Sequence, residues 1–174
     1  FIKFKLSWIR RKVKSSSFFQ HPYTFTTEIL KLVENYPRPA LDCLMNLLDS
    51  HDTERVLTLL AFDNPESIPV EQRPTYKLSD EQYQKAKYLL KFASFIQFTL
   101  PGVPCIYYGD EIGMYGFRDP YNRLGYTHDN IDKDLLNHYI ELTTFRNENK
   151  TEFITNDTDL VVVSGNKDKS SNIY

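Results

Sequence analysis

The chain has 174 residues, with 21 Lys and Arg against 23 Asp and Glu, a formal charge of −2. Hydrophobic residues at 41% and charged residues at 25% are globular proportions, and the near-neutral balance excludes the strongly basic profile of a dedicated nucleic-acid binder. Two cysteines, Cys43 and Cys105, exclude a disulfide framework, and no run of about 18 apolar residues is present to make a membrane-spanning helix.

Phe1 to Lys14 carries Lys3, Lys5, Arg10, Arg11, Lys12 and Lys14 and no acid. Residues 1–20 read as an atypical basic end without fixed structure; an arm for nucleic acid or anionic lipid is the rival reading. Thr26 to Asn35 predicts a short helix, stopped by Pro37 and Pro39, which lack the amide donor and push the preceding residue to extended geometry. Leu44 to Leu48 predicts a buried strand, ended by Asp49-Ser50-His51-Asp52-Thr53, and Glu54 to Ala61 a helix. Phe62 to Leu78, with Pro65, Pro69 and Pro74, reads as a long loop.

Ser79 with Gln82 three residues on is a capping-box signature for a helix from Asp80 to about Phe98. The second half of that helix is apolar nearly all round, the mark of a helix packed on several sides. Pro101-Gly102-Val103-Pro104 reads as a turn, and Cys105 to Tyr108 as a short strand ended by Gly109-Asp110-Glu111. Ile112 to Asn130 reads as loop and Asp132 to Arg146 as helix. The pattern turns to β after Lys150, with a strand over Asp159 to Ser164. The two cysteines read as small buried apolar residues. The chain begins at Phe1 and ends just after that β pattern starts, so it reads as a fragment.

Strand and helix alternate through the middle of the chain, which implies an α/β fold of parallel strands with helical crossovers. A polar cluster follows each strand at its carboxyl end, where open α/β sheets and (β/α)₈ barrels place their chemistry. Taken alone, a His-Asp pair there can grip vicinal hydroxyls, the carboxylate accepting and the imidazole donating. It can equally be a helix cap beside a surface histidine. A lone Gly-Asp-Glu is ordinarily a turn, and Asp119 with Arg123 can be a simple loop ion pair.

Ser50-His51-Asp52-Thr53, Gly109-Asp110-Glu111-Ile112-Gly113 and Asp119-Pro120-Tyr121-Asn122-Arg123 occur in that order. Together they resemble glycoside hydrolase family 13, the α-amylase superfamily, and most nearly its neopullulanase, cyclomaltodextrinase and amylopullulanase branch. The likeness runs from about Glu28 to Tyr174, whereas Phe1 to Ser17 shows no clear likeness. The segment after Arg123, Leu124-Gly125-Tyr126-Thr127-His128, departs from the Trp-containing stretch that family members often carry.

The resemblance implies the C-terminal part of a (β/α)₈ barrel, running into an all-β domain C. Residues 21–150 would hold barrel strands seven and eight with their helices, and residues 151–174 would start the β domain. It implies a retaining hydrolase of α-1,4 glucosidic bonds, with α-1,6 bonds a further candidate, acting on α-glucan or maltooligosaccharide. Asp52 matches the transition-state stabiliser, and His51, Asp119 and Arg123 match substrate contacts. Asp110 and Glu111 look structural. The nucleophile and acid belong to earlier strands, so the chain alone is expected to be inactive and to need the rest of its barrel. A non-catalytic, carbohydrate-binding remnant of the same family is the alternative. No cofactor is implied for these residues; calcium, bound by some family members, lies elsewhere in the barrel. No Cys/His spacing suits a metal. Neither a nucleic acid nor a membrane is implied as a partner.

Overall fold

The structure is a computed structural model that describes residues 3–5 and 22–149. Its strands are β1 (Lys3–Lys5), β2 (Met45–Leu47) and β3 (Val103–Cys105). Its helices are α1 (Pro22–Asn35), α2 (Arg38–Asp42), α3 (Val56–Ala61), α4 (Asp80–Thr99) and α5 (Lys133–Glu148). The strands form one parallel sheet in the order β1-β2-β3, with Met45 opposite Lys3 and Val103. Parallel neighbours need crossovers, and α3 with α4 supplies the one between β2 and β3.

The expectation of an unstructured basic end does not hold for Lys3–Lys5, which pair with β2 along its whole length. Backbone pairing is indifferent to side-chain charge, which is why composition alone missed it. The remainder of that basic segment, and everything from Lys150 on, including the expected strand at Asp159 to Ser164, lie outside the described residues.

β3 sits two residues earlier than its apolar run suggests. Gly102, at φ +102°, makes the turn, and Val103 N–H then donates to Leu44 O at 2.7 Å. Side-chain-bearing residues rarely adopt that φ. With Val103 facing β2, the imino nitrogen of Pro104 turns away from it, so the strand tolerates a proline that sequence reading assigned to a turn. Tyr107 and Tyr108 fall in the loop instead.

The helices follow their end signals closely. Ser79 and Gln82 form the reciprocal capping box that opens α4. Asp132 caps α5 by accepting from Leu135 N–H at 3.0 Å, and Lys87 Nζ and Tyr83 Oη bind the same carboxylate. Val56 and Leu57 of α3, Ala86, Leu90 and Phe98 of α4, and Leu135, Tyr139 and Leu142 of α5 make the main core. Burying each large side chain of this kind stabilises by about 1.5–3 kcal/mol.

Only one side of the apolar half of α4 is covered among the described residues: Phe92 and Phe95 are 51% and 53% exposed. The cysteines also differ from expectation. Cys43 is exposed in the turn after α2, and Cys105 is half-buried at the end of β3.

Two side-chain clamps fix the sheet to its helices. Gln97 Nε2 of α4 donates to Asn46 O of β2 and Cys105 O of β3, at 2.8 and 2.9 Å. Asn46 Nδ2 returns a bond to Pro101 O at 2.9 Å, so Asn46 serves the backbone, as expected of a polar residue on a buried strand. Arg146 of α5 reaches the α4–β3 turn, donating to Phe98 O, Leu100 O and Gly102 O. These carbonyls at the helix end and turn would otherwise lack partners.

Candidate functional site

The chain leaves β2 into a tight turn from Ser50 to Thr53. Thr53 N–H donates to Ser50 O at 3.1 Å, Ser50 N–H to Thr53 Oγ1 at 3.2 Å, and Asp52 N–H to Ser50 Oγ at 3.3 Å. These short side chains satisfy the turn locally. They leave His51 and Asp52 at its tip, 56% and 57% exposed by side chain, with Nε2 3.2 Å from Oδ1. An exposed carboxylate on a fixed turn has lone pairs free for two hydroxyl donors, and the imidazole adds a polar edge beside it.

The loop after β3 meets this turn from below. A single 3₁₀ turn, Tyr121–Arg123, places Asn122 and Arg123 against it. Asn122 is fully buried and donates from Nδ2 to His51 O at 2.9 Å and Thr53 O at 2.6 Å. Arg123 Nη2 approaches His51 O at 3.3 Å, and its Nε pairs with Asp119 Oδ1 at 3.0 Å. All four residues singled out from the sequence therefore form one connected line, Asp119 to Arg123 to His51 to Asp52. The Asp119–Arg123 ion pair is real and exposed, where such pairs contribute little to stability. Its carboxylate and guanidinium remain open to solvent.

A second layer lies beneath, in which the sequence gives Asp110 a structural part but none to Asp49 or Arg55. Arg55 is completely buried. Its Nη1 donates to Tyr108 O at 2.6 Å and lies 3.6 Å from Asp110 Oδ1, and its guanidinium sits over the rings of Tyr107 and Tyr108 at 4.9 and 4.7 Å. Asp49 Oδ2 accepts from Val56 N–H at 2.7 Å. Asp49 and Asp110 hydrogen-bond each other through their carboxyls, and the Oδ1 atoms of both are buried without an N–H donor. Burial of both acids favours a proton on the pair over two neighbouring charges, and Arg55 faces the charge that remains. Asp110 is thus structural, as expected. Glu111 is too, accepting from Gly109 N–H at 2.8 Å. Asp49 follows a buried strand and Arg55 precedes a helix; two charges bracketing a polar turn were the signal available.

Burial pushes Asp49 up to about 6 from its ordinary 3.8, although Asp110, the Val56 N–H and Arg55 pull it back. Burial, then the charge of Asp49, pushes Asp110 well above the usual carboxylate range. A carboxyl with a raised pKa holds more protons folded than unfolded, so its contribution is full below about 4 and is lost as pH rises through 6. His138, lowered mainly by burial, works in the opposite direction below its ordinary 6.5. The difference between the wild-type and Asp49→Asn proteins removes that background. The wild-type Tm minus the Asp49→Asn Tm is expected to fall between pH 4 and pH 7. A difference that stays flat over that range would mean that Asp49 is ionised throughout.

Among the described residues no group of three or more His, Cys, Asp or Glu could hold a metal ion, and no helix is long and apolar enough to cross a membrane.

The family model for the alpha amylase catalytic domain matches residues 2–160. The match takes in most of the basic segment, for which the sequence showed no likeness. The amylopullulanase of Thermoanaerobacter thermohydrosulfuricus is 36% identical over 126 residues, 70% of this chain and 8% of its own. A cyclomaltodextrinase of Bacillus sp. is 37% identical over 117 residues, 66% of this chain and 17% of its own. A solved cyclomaltodextrinase structure superposes with a TM-score of 0.55 at 34% identity, covering 76% of this chain and 19% of that one. The chain thus spans less than a fifth of the length of each of these relatives. The parallel strands with helical crossovers agree with the (β/α)₈ fold of these neighbours. The chain belongs to the alpha-amylase catalytic-domain family, glycoside hydrolase family 13, within its neopullulanase, cyclomaltodextrinase and amylopullulanase branch.

Proposed function

We propose that this chain is the section of a retaining α-glucan hydrolase that carries the transition-state stabiliser, Asp52. The observation that carries the reading is the exposed His51–Asp52 pair, held on a rigid turn at the carboxyl end of a parallel strand. On this reading β2 and β3 are barrel strands seven and eight, and the residues from 151 begin domain C. The substrate is an α-1,4-linked glucan or maltooligosaccharide, with α-1,6 bonds also within reach.

Asp52 accepts hydrogen bonds from two vicinal hydroxyls of the sugar at the cleavage point. As the ring flattens toward an oxocarbenium ion, positive charge grows and those hydroxyls become better donors, so the grip tightens in the transition state. His51 donates to the same sugar and fixes its orientation. Arg123 and Asp119, one on either side of an exposed ion pair, contact the neighbouring donor-side unit. The attacking carboxylate and the acid that protonates the leaving oxygen come from barrel strands outside these residues. Retaining pairs stand about 5–5.5 Å apart, a geometry built on other strands.

The test is release of reducing sugar from maltooligosaccharide, pullulan and cyclodextrin. The purified 174-residue chain is expected to release none, and the full gene product is expected to release it. Release by the chain alone that vanishes in Asp52→Asn would place a nucleophile among these residues, with Asp119 the first suspect. A full gene product that binds maltooligosaccharide but cleaves nothing would favour a non-catalytic binding protein.

A further inference from the structure

We propose that Asn122 is a positioning residue for Asp52, and that it locks the loop bearing Asp119 and Arg123 to the turn bearing His51 and Asp52. The inference rests on the reading of Asp52 given above.

Asn122 spends both protons of one amide nitrogen on the carbonyls of His51 and Thr53, the residues immediately before and after Asp52. Those two peptides set the backbone on either side of Asp52. The Asp52 N–H itself is restrained from within the turn, by Ser50 Oγ. The amide orientation follows from the chemistry: two carbonyls require two donors, so Nδ2 must face them and Oδ1 must face away. Oδ1 is buried there without a hydrogen-bond partner. A buried, unsatisfied acceptor is retained at a cost, and here it accompanies the double grip on the turn. Asn122 itself is held from the side, where Tyr107 Oη donates to its backbone carbonyl at 3.4 Å.

The bonds join segments 69 and 71 residues apart. Between them, the only covalent route runs through α3, α4 and β3. Any shift of the Asp119–Arg123 segment, for instance as a sugar settles on it, is passed to the peptides flanking Asp52. The aim of the carboxylate and the occupancy of the neighbouring donor contact therefore belong to one rigid unit.

The experiment uses the full gene product in four forms: wild type, Asn122→Ala, Asp52→Asn and the double variant. Cleavage of maltooligosaccharide and amide hydrogen exchange across residues 50–56 are both measured. Asn122→Ala is expected to lower kcat by roughly 100-fold, the scale of a misplaced catalytic group, and to change KM little. Added to Asp52→Asn it is expected to cost nothing further, because both changes remove the same interaction. Losses that multiply would overturn the positioning role, since a merely structural residue would act independently of Asp52.

Exchange across 50–56 is expected to rise about tenfold or more in Asn122→Ala, as suits the loss of one buried and one part-buried hydrogen bond, while α4 and α5 keep their protection. Unchanged exchange would overturn the proposal whatever the kinetics. Asn122→Ser, which keeps one short donor, guards against misfolding of the alanine variant and is expected to lie between it and wild type in both readouts. A wild-type protein that neither cleaves nor binds glucan would sink the functional reading. The exchange result would still decide whether Asn122 holds the turn.

Discussion

Asp52→Asn in the full gene product is expected to lower kcat on maltooligosaccharides by about 100- to 1,000-fold, the usual size for one preorganised electrostatic contact to the transition state. The substitution is nearly isosteric. Asp52 is exposed, and its carboxylate pairs with His51 at 3.2 Å, so the fold has little reason to notice. What changes is charge and acceptor count. A carboxylate offers two acceptor oxygens and a negative charge, whereas an amide offers one acceptor and no charge. The loss grows as positive charge builds on the sugar, so it falls on kcat rather than KM. Kinetics and a thermal melt read together give the test: a large drop in kcat with an unchanged Tm. Activity near the wild-type level would remove Asp52 from the chemistry.

Arg55→Met is expected to destabilise the protein by about 3–5 kcal/mol, the cost of leaving a buried charge without its partner. Arg55 faces a pair of buried acids, so its loss strands their negative charge among buried groups. Met fills much of the volume but offers no donor to Tyr108 O and no cation for the two tyrosine rings. The signature that separates this from simple packing loss is pH. At low pH the raised acid pair takes up protons and the stranded charge disappears. Chemical denaturation at pH 5 and pH 8 should therefore show the smaller loss at pH 5. An equal loss at both would mean that the arginine acts through its bulk alone.

Much of the frame was legible because it rests on local rules. Ser79 and Gln82 opened α4 and Asp132 opened α5, since capping is decided within four residues. The His51–Asp52 turn stands out through its place after a strand and its order with the two later signatures, which together carry the family resemblance. The missed features are long-range. Lys3–Lys5 gained its strand from β2, some forty residues away, and three residues carry no period of their own. The shift of β3 came from Gly102, whose left-handed backbone put the turn one residue before Val103. Asn122 lies inside the Asp119–Arg123 motif, yet its partners lie 69 and 71 residues back. The Asp49–Arg55–Asp110 cluster likewise assembles only when the two strand ends come together, which no spacing rule expresses.

The reach of Arg146 bears on the order in which the chain can finish itself. Its guanidinium closes carbonyls 44 to 48 residues earlier, at the exit of α4 and the entrance to β3. A polypeptide emerging from the ribosome completes that bend well before the residue that closes it. Loops of this length are costly to close and are closed late. During synthesis the bend therefore presents uncapped carbonyls to water until α5 docks.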